Sequence, residues 1–231
     1  MGRMTQRQPH RRLGLAAASA LSAAALLIAP AVTPTTGIMA SASADPCPDV
    51  ELVFARGTSE PAGIGRVGQA LADNLQGQLG GRSLSTYGVN YPATYDFLAA
   101  ADGAADATNH IAAMAAQCPS TRIVLGGYSQ GAAVVDMLAG IPPLGNKVGE
   151  IGSAPPLPAS LTGNVAAAAV FGNPATKFGN PLTASMFGGR SIDLCSDGDP
   201  ICSDGRNPFA HTRYESGPFP GQAAGFIANL V

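Results

Sequence analysis

Tryptophan is absent, and aromatic residues make up only 6% of the 231 residues. A carbohydrate platform built on stacked rings is therefore not expected. Histidine occurs three times, at His10, His110 and His211, and the four cysteines form no C-x-x-C pair. That scarcity argues against a zinc site and leaves few candidates for a base working near neutral pH. The chain has no internal repeat and no linker that would divide it, so the exported part reads as one domain.

The first residues carry the pattern of an export signal. Arg3, Arg7, Arg11 and Arg12 form a cationic start, residues 13–32 an apolar run, and Ala42-Ser43-Ala44 an A-x-A cleavage site. Residues 1–44 are thus expected to be a secretory signal peptide, and residues 45–231 a single domain that is secreted, extracellular or cell-surface associated. Ser19, Ser22 and Pro30 interrupt the apolar run, which disfavours a permanent membrane helix. Arg11-Arg12 suits a twin-arginine signal and a general secretory signal equally. Four arginines and no acids leave with this segment, so the net charge of −2 becomes more negative. Neither nucleic acid nor an anionic membrane surface is expected as the main partner.

Cys47, Cys118, Cys195 and Cys202 all lie in the exported part. An even count in an oxidising compartment suggests two disulfides. Four cysteines allow three pairings. Cys195–Cys202 with Cys47–Cys118 is favoured because the former closes a short, turn-rich loop. The longer link would contribute ~4 kcal/mol on the loop-entropy model.

Strand-like and helix-like segments alternate. Residues 50–55 suit a buried strand. Val67, Leu71, Leu75 and Leu79 recur every four residues on one helix face. Residues 83–89 form a weaker strand and residues 99–116 an alanine-rich helix. A strand over 122–125 leads into a helix over 130–138, residues 140–161 form a Pro- and Gly-rich loop, and residues 165–171 and 191–194 form further strands. A last helix spans 222–230. This order predicts an α/β three-layer sandwich around a central, mostly parallel sheet, with its site at the carboxyl ends of the strands.

Gly127-Tyr128-Ser129-Gln130-Gly131 sits between such a strand and helix. In a chain with 29 glycines, a G-x-S-x-G arises by chance in about one such sequence in four, so the pentapeptide needs its context. Strand, tight turn and helix in that order make a nucleophile elbow, with Ser129 exposed at the strand end. A serine hydroxyl needs a base to take its proton. In doubly wound hydrolases the order is serine, acid, histidine, and only His211 obeys it. His110, inside the alanine-rich helix, reads as a surface or partly buried residue. Asp136 lies on the helix after the elbow and Glu150 in the Pro-Gly loop, which leaves Asp193, Asp197, Asp199 and Asp204 as candidate acids. Asp199 is favoured by its place in the Cys195–Cys202 loop, where a staple would hold a carboxylate still. Spacing does not separate it from Asp197. The oxyanion hole would use the N–H of Gln130 and a donor from Arg56-Gly57-Thr58-Ser59-Glu60, with Thr58 or Ser59 the donor.

These pieces together resemble the cutinase family of secreted serine esterases. The matching stretches are Ala55 through Glu60, Gly126 through Gly131, Cys195 through Cys202 with Gly198-Asp199 inside, and Pro208 through His211. The resemblance implies Ser129 as nucleophile, Asp199 as acid, His211 as base, and Thr58 and Gln130 at the oxyanion hole, with Thr58 where many members have serine. It also implies the disulfides Cys47–Cys118 and Cys195–Cys202 and a five-stranded parallel sheet without a large lid. Expected activity is hydrolysis of short- to medium-chain acyl esters by a monomer, on an ester or lipid-like substrate, with no metal or organic cofactor. Asn207, Phe209 and Arg213 stand where fungal members have more aliphatic neighbours, which points away from cutin itself. The alternatives are an acetylxylan-type deacetylase and a non-catalytic secreted lipid- or surface-binding protein on the same fold.

Overall fold

The computed structural model describes residues 47–144 and 151–231. The expected signal segment, its cleavage site, His10 and Glu150 lie outside the described residues. Five strands form one sheet: β1 (Val50–Ala55), β2 (Leu84–Gly88), β3 (Arg122–Tyr128), β4 (Val165–Phe171) and β5 (Ser191–Leu194). Their order is β2-β1-β3-β4-β5, and all four ladders are parallel, so the sheet is wholly rather than mostly parallel.

Such a sheet is stable only when both faces are covered. α1 (Gly65–Gln78) and α6 (Phe219–Ala228) cover one face. Val67, Leu71 and Leu75 of α1 and Ala223, Ala224 and Ile227 of α6 bury against Leu52, Phe54, Val124 and Phe171. α2 (Ala100–Gln117) and α3 (Gln130–Leu138) cover the other. Ala104, Ala107 and Ile111 of α2 and the whole of α3 bury against Val53, Ile123, Leu125 and Val170. Alternate residues of each strand thus face opposite cores, as the two-residue strand period requires. The architecture is the expected three-layer sandwich.

β3 runs three residues further than its apolar pattern predicts. Gly126 and Gly127 have weak strand propensity, but they pair with Phe54 and Ala55 of β1, and tertiary pairing overrides propensity. The last helix starts at Phe219 rather than at residue 222, because a proline is tolerated in a first helical turn. α4 (Pro174–Lys177) and α5 (Pro208–His211) are one-turn helices the sequence pattern misses, each with an asparagine N-cap and a proline behind it. Both expected disulfides are present, Cys47–Cys118 and Cys195–Cys202.

A polar cluster is buried between α3 and the β4–β5 end of the sheet. Asn173 Nδ2 donates to Asp136 Oδ1 at 3.1 Å and to Asp193 Oδ2 at 2.9 Å. Asp193 Oδ2 also accepts from Thr176 Oγ1 and the Leu182 N–H. Asp136 has no exposed surface. Burial first, then the charge of Asp193, pushes its pKa well above the usual carboxylate value, against a lowering bond from Asn173. The folded carboxyl therefore keeps its proton where the unfolded one, near 3.8, has lost it. Its stabilising contribution is full below that pH and is lost as pH rises through the folded pKa. Asp136→Asn removes this ionisation, so its melting temperature should fall less than the parent's as pH is raised from the unfolded value, near 3.8, towards neutrality. Identical pH dependence in the two proteins would exclude Asp136 as the source.

Candidate active site

Ser129 stands between β3 and α3 with φ 55° and ψ −117°. A non-glycine residue in that region is strained, and here the strain comes from the reversal that turns the strand into the helix. Gly131 makes the turn feasible, since a Cβ there would collide with the carbonyl of Ala55 at the end of β1. Gln130 opens α3, so its N–H belongs to the amides that a helix start leaves without an intrahelical acceptor.

His211 is the last residue of α5 rather than part of an open loop. Asn207 caps that turn, its Oδ1 accepting from the Phe209 N–H at 3.1 Å. Tyr128 on β3 holds the His211 carbonyl through its hydroxyl at 2.6 Å. The imidazole Nε2 lies 2.8 Å from Ser129 Oγ, and Nδ1 lies 2.8 Å from Asp199 Oδ2. Asp199 has no exposed surface, whereas Asp197 and Asp204 face solvent and Asp193 belongs to the cluster with Asn173. Two further donors reach Asp199: the Ile201 N–H at 2.8 Å to Oδ1 and the Tyr214 hydroxyl at 2.7 Å to Oδ2. Burial alone would raise the Asp199 pKa. The bonds from His211, the Ile201 amide and Tyr214 outweigh it and hold the carboxyl below its usual value.

The loop after β1 faces the same edge. Thr58 Oγ1 donates to Gln130 Oε1 at 3.2 Å, which joins the two expected oxyanion residues. The buried Arg56 anchors this loop, with Nε on the Glu60 carbonyl at 2.9 Å and Nη2 on the Tyr91 carbonyl at 2.7 Å. Glu60 Oε2 in turn accepts from the Gly57 N–H at 2.7 Å. Sequence reasoning missed Arg56, Glu60 and Tyr214. An arginine and a glutamate flanking the Gly-Thr-Ser turn were the available signal for the first two. His110 is elsewhere, pairing with Glu51 at 3.0 Å and stacked on Tyr87.

A cleft of about 540 Å³ opens over these groups. Thr58, Ser129, Gln130 and His211 form its polar floor, and Tyr95, Phe97, Leu144, Ile151 and Ile201 its apolar walls. The class these features define is an α/β-hydrolase-like protein with a serine, a histidine and a carboxylate in mutual contact at the carboxyl edge of its sheet.

The family model for Cutinase matches residues 46–231. Phospholipase Culp4 of Mycobacterium tuberculosis is 50% identical over 96% of this chain and 92% of its own length. Carboxylesterase Culp1 of the same organism is 41% identical over 99% and 98%. Among solved structures, a Trichoderma reesei cutinase in complex with a phosphonate inhibitor is 35% identical with a TM-score of 0.65, covering 80% of this chain and 78% of that one. The chain belongs to the cutinase family, and the relatives just named are ester hydrolases by name.

The elbow geometry makes one position intolerant. Because the atom opposing a Cβ at residue 131 is backbone, Gly131→Ala should destabilise the fold by about 3 kcal/mol, the upper end of overpacking costs. Chemical denaturation measures this directly, and a midpoint equal to the parent's would contradict the close approach.

Proposed function

We propose that this protein is a secreted serine ester hydrolase that cleaves short- to medium-chain acyl esters through an acyl-enzyme. The observation that carries the reading is the continuous run of contacts from Ser129 Oγ through His211 to Asp199 at the floor of an apolar cleft. In this reading Ser129 Oγ attacks the ester carbonyl carbon while its proton passes to His211 Nε2. The tetrahedral intermediate collapses as the imidazolium returns that proton to the departing alkoxide. Water then repeats the sequence on the acyl-enzyme, with His211 as base, and releases the carboxylic acid and Ser129. Asp199 orients the ring and offsets the charge it acquires. The N–H groups of Gln130 and Thr58 stabilise the oxyanion, each worth ~3 kcal/mol of barrier.

The scheme uses no metal or organic cofactor and needs only a monomer. Residues 1–44 serve as the secretory signal and residues 45–231 as the catalytic domain. Two disulfides suit an oxidising destination outside the cell or at its surface. The apolar walls favour an acyl chain longer than acetyl, which ranks an acetylxylan-type deacetylase second. The intact relay favours catalysis over a non-catalytic lipid- or surface-binding role. The phospholipase name of a 50% identical relative fits an ester or lipid-like substrate.

A fluorophosphonate probe should label the parent and leave Ser129→Ala unlabelled. Labelling of both would remove Ser129 as the nucleophile. Across p-nitrophenyl esters of two to sixteen carbons, rates should peak beyond acetyl; preference for acetyl with rejection of octanoyl would support the deacetylase. Asp199→Asn should lower kcat by about 10⁴, as loss of the orienting acid does in serine hydrolases, with Asp197→Asn within about twofold of the parent. Equal losses in the two variants would overturn the assignment of the acid.

A further inference from the structure

Tyr214 lies outside every motif in the sequence and is fully buried. It opens the turn Tyr214–Ser216, just after α5. Its hydroxyl approaches Asp199 Oδ2 at 2.7 Å, the same oxygen that meets His211 Nδ1 at 2.8 Å. The Ser196 N–H donates to that hydroxyl at 2.9 Å, and Cys202 Sγ lies 3.5 Å away. The amide of Ser196 can only donate, so the phenol oxygen accepts there and its proton goes to the carboxylate. Burial, the largest influence, raises the Tyr214 pKa above its ordinary range, so the group remains a neutral donor. The ring is wedged edge-on to His211, with centroids 6.2 Å apart at 86°, and packs on Phe171 and Phe219.

We propose that Tyr214 is a positioning residue of the Ser129–His211–Asp199 relay: its hydroxyl fixes which carboxylate oxygen meets the imidazole and withdraws part of that oxygen's charge. The inference rests on the relay assigned under Proposed function. Asp199 Oδ1 is committed to the Ile201 amide, so Oδ2 alone serves both the imidazole and the phenol. Without the phenol, the carboxylate loses one of the bonds that prevent its rotation. The charge on Oδ2 is then met by the Nδ1–H bond alone, which favours the imidazolium. The other ionisable groups around the relay are Tyr128 on β3, Glu60 and Arg66 of the cleft wall, Glu215 beside Tyr214, Arg213 over Phe209, and Lys177, whose Nζ bonds the Pro200 carbonyl. A change at the Tyr214 hydroxyl alone adds no charge and removes none from this set.

The test is Tyr214→Phe, which keeps the ring, assayed on p-nitrophenyl butyrate from pH 4 to pH 9. The expected result is a roughly tenfold lower kcat with KM within about twofold, and an acidic limb of kcat/KM moved up by about half a pH unit. The downfield Nδ1–H proton resonance of His211 should move with it. A role confined to packing would lower the melting temperature and leave limb and resonance unmoved, and that outcome overturns the proposal. Where Tyr214→Phe does not fold, 3-fluorotyrosine at position 214 retains the hydroxyl as a stronger donor. The limb should then move to lower pH, and an unmoved or raised limb overturns the proposal. Full activity in Ser129→Ala would instead overturn the relay itself. An inactive Ser129→Ala with an unmoved Tyr214→Phe limb removes the inference about Tyr214 alone.

Discussion

Asp199 carries a charge with no contact to solvent, and the segment from β5 to α6 is organised around keeping it ionised. A carboxylate moved out of water takes up a proton unless donors replace its hydration. Three donors do so here: the Ile201 amide, the Tyr214 phenol and the His211 imidazole. Each is held by a different restraint. The Cys195–Cys202 bond closes the loop that presents Ile201. The Asn207 cap and the Tyr128 hydroxyl fix the turn that ends at His211. Aromatic packing against Phe171 and Phe219 seats Tyr214. The disulfide, the short helix and the aromatic wedge therefore support one electrostatic arrangement rather than three separate local structures.

The parallel sheet explains how residues so distant in sequence meet. Ser129 and His211 are 82 positions apart, and Thr58 and Gln130 are 72 apart. Every strand of a parallel sheet ends at the same edge, so the segments leaving β1, β3, β4 and β5 converge without any long excursion. β4 contributes by what it leaves out. A Cβ on Gly172, just past its end, would come within 2.8 Å of His211 Cε1, so the imidazole occupies the space a side chain would have taken. The φ of +57° at Gly172 directs the chain away into α4 in the same step.

The sequence is readable wherever a single segment determines its own state. The bounds of β1, β4 and β5 coincide with the segments the sequence suggests; β4 is the clearest case, since every one of its residues is apolar and buried, while β1 carries only Glu51 as a polar residue among its buried ones. The elbow is readable for a similar reason, since its glycines and serine are consecutive. Choosing between Asp197 and Asp199 needed more than spacing. The two are a dipeptide step apart in one turn-rich loop, and only the folded loop buries one and exposes the other. The Ser196 N–H to the Tyr214 hydroxyl and Asn173 to Asp136 are contacts between segments remote in sequence, and no local pattern announces them. Arg56 is a similar case: a charged residue beside a glycine reads as a solvated turn until the carbonyls of Val89 and Tyr91 close over it.

Backbone strain marks the same region from another direction. Among the described residues, the non-glycine positions with positive φ are Ser59, Ala93 and Ser129. Ser129 is the elbow itself. Ser59 lies in the loop that carries Thr58, and its N–H bonds the Ala93 carbonyl at 2.7 Å, so the other two support one another. Such residues cost about 1–3 kcal/mol each and persist only where surrounding contacts over-determine them. Arg56 supplies that excess, its guanidinium bridging the Glu60, Val89 and Tyr91 carbonyls while the Tyr91 hydroxyl returns a bond to the Arg56 carbonyl. A loop pinned at both ends by a buried guanidinium has little freedom to reorganise when a ligand arrives. Its backbone is therefore fixed by the fold itself, and in the reading proposed above that is the condition under which donors from this loop, acting as fixed dipoles, would lower a barrier most effectively.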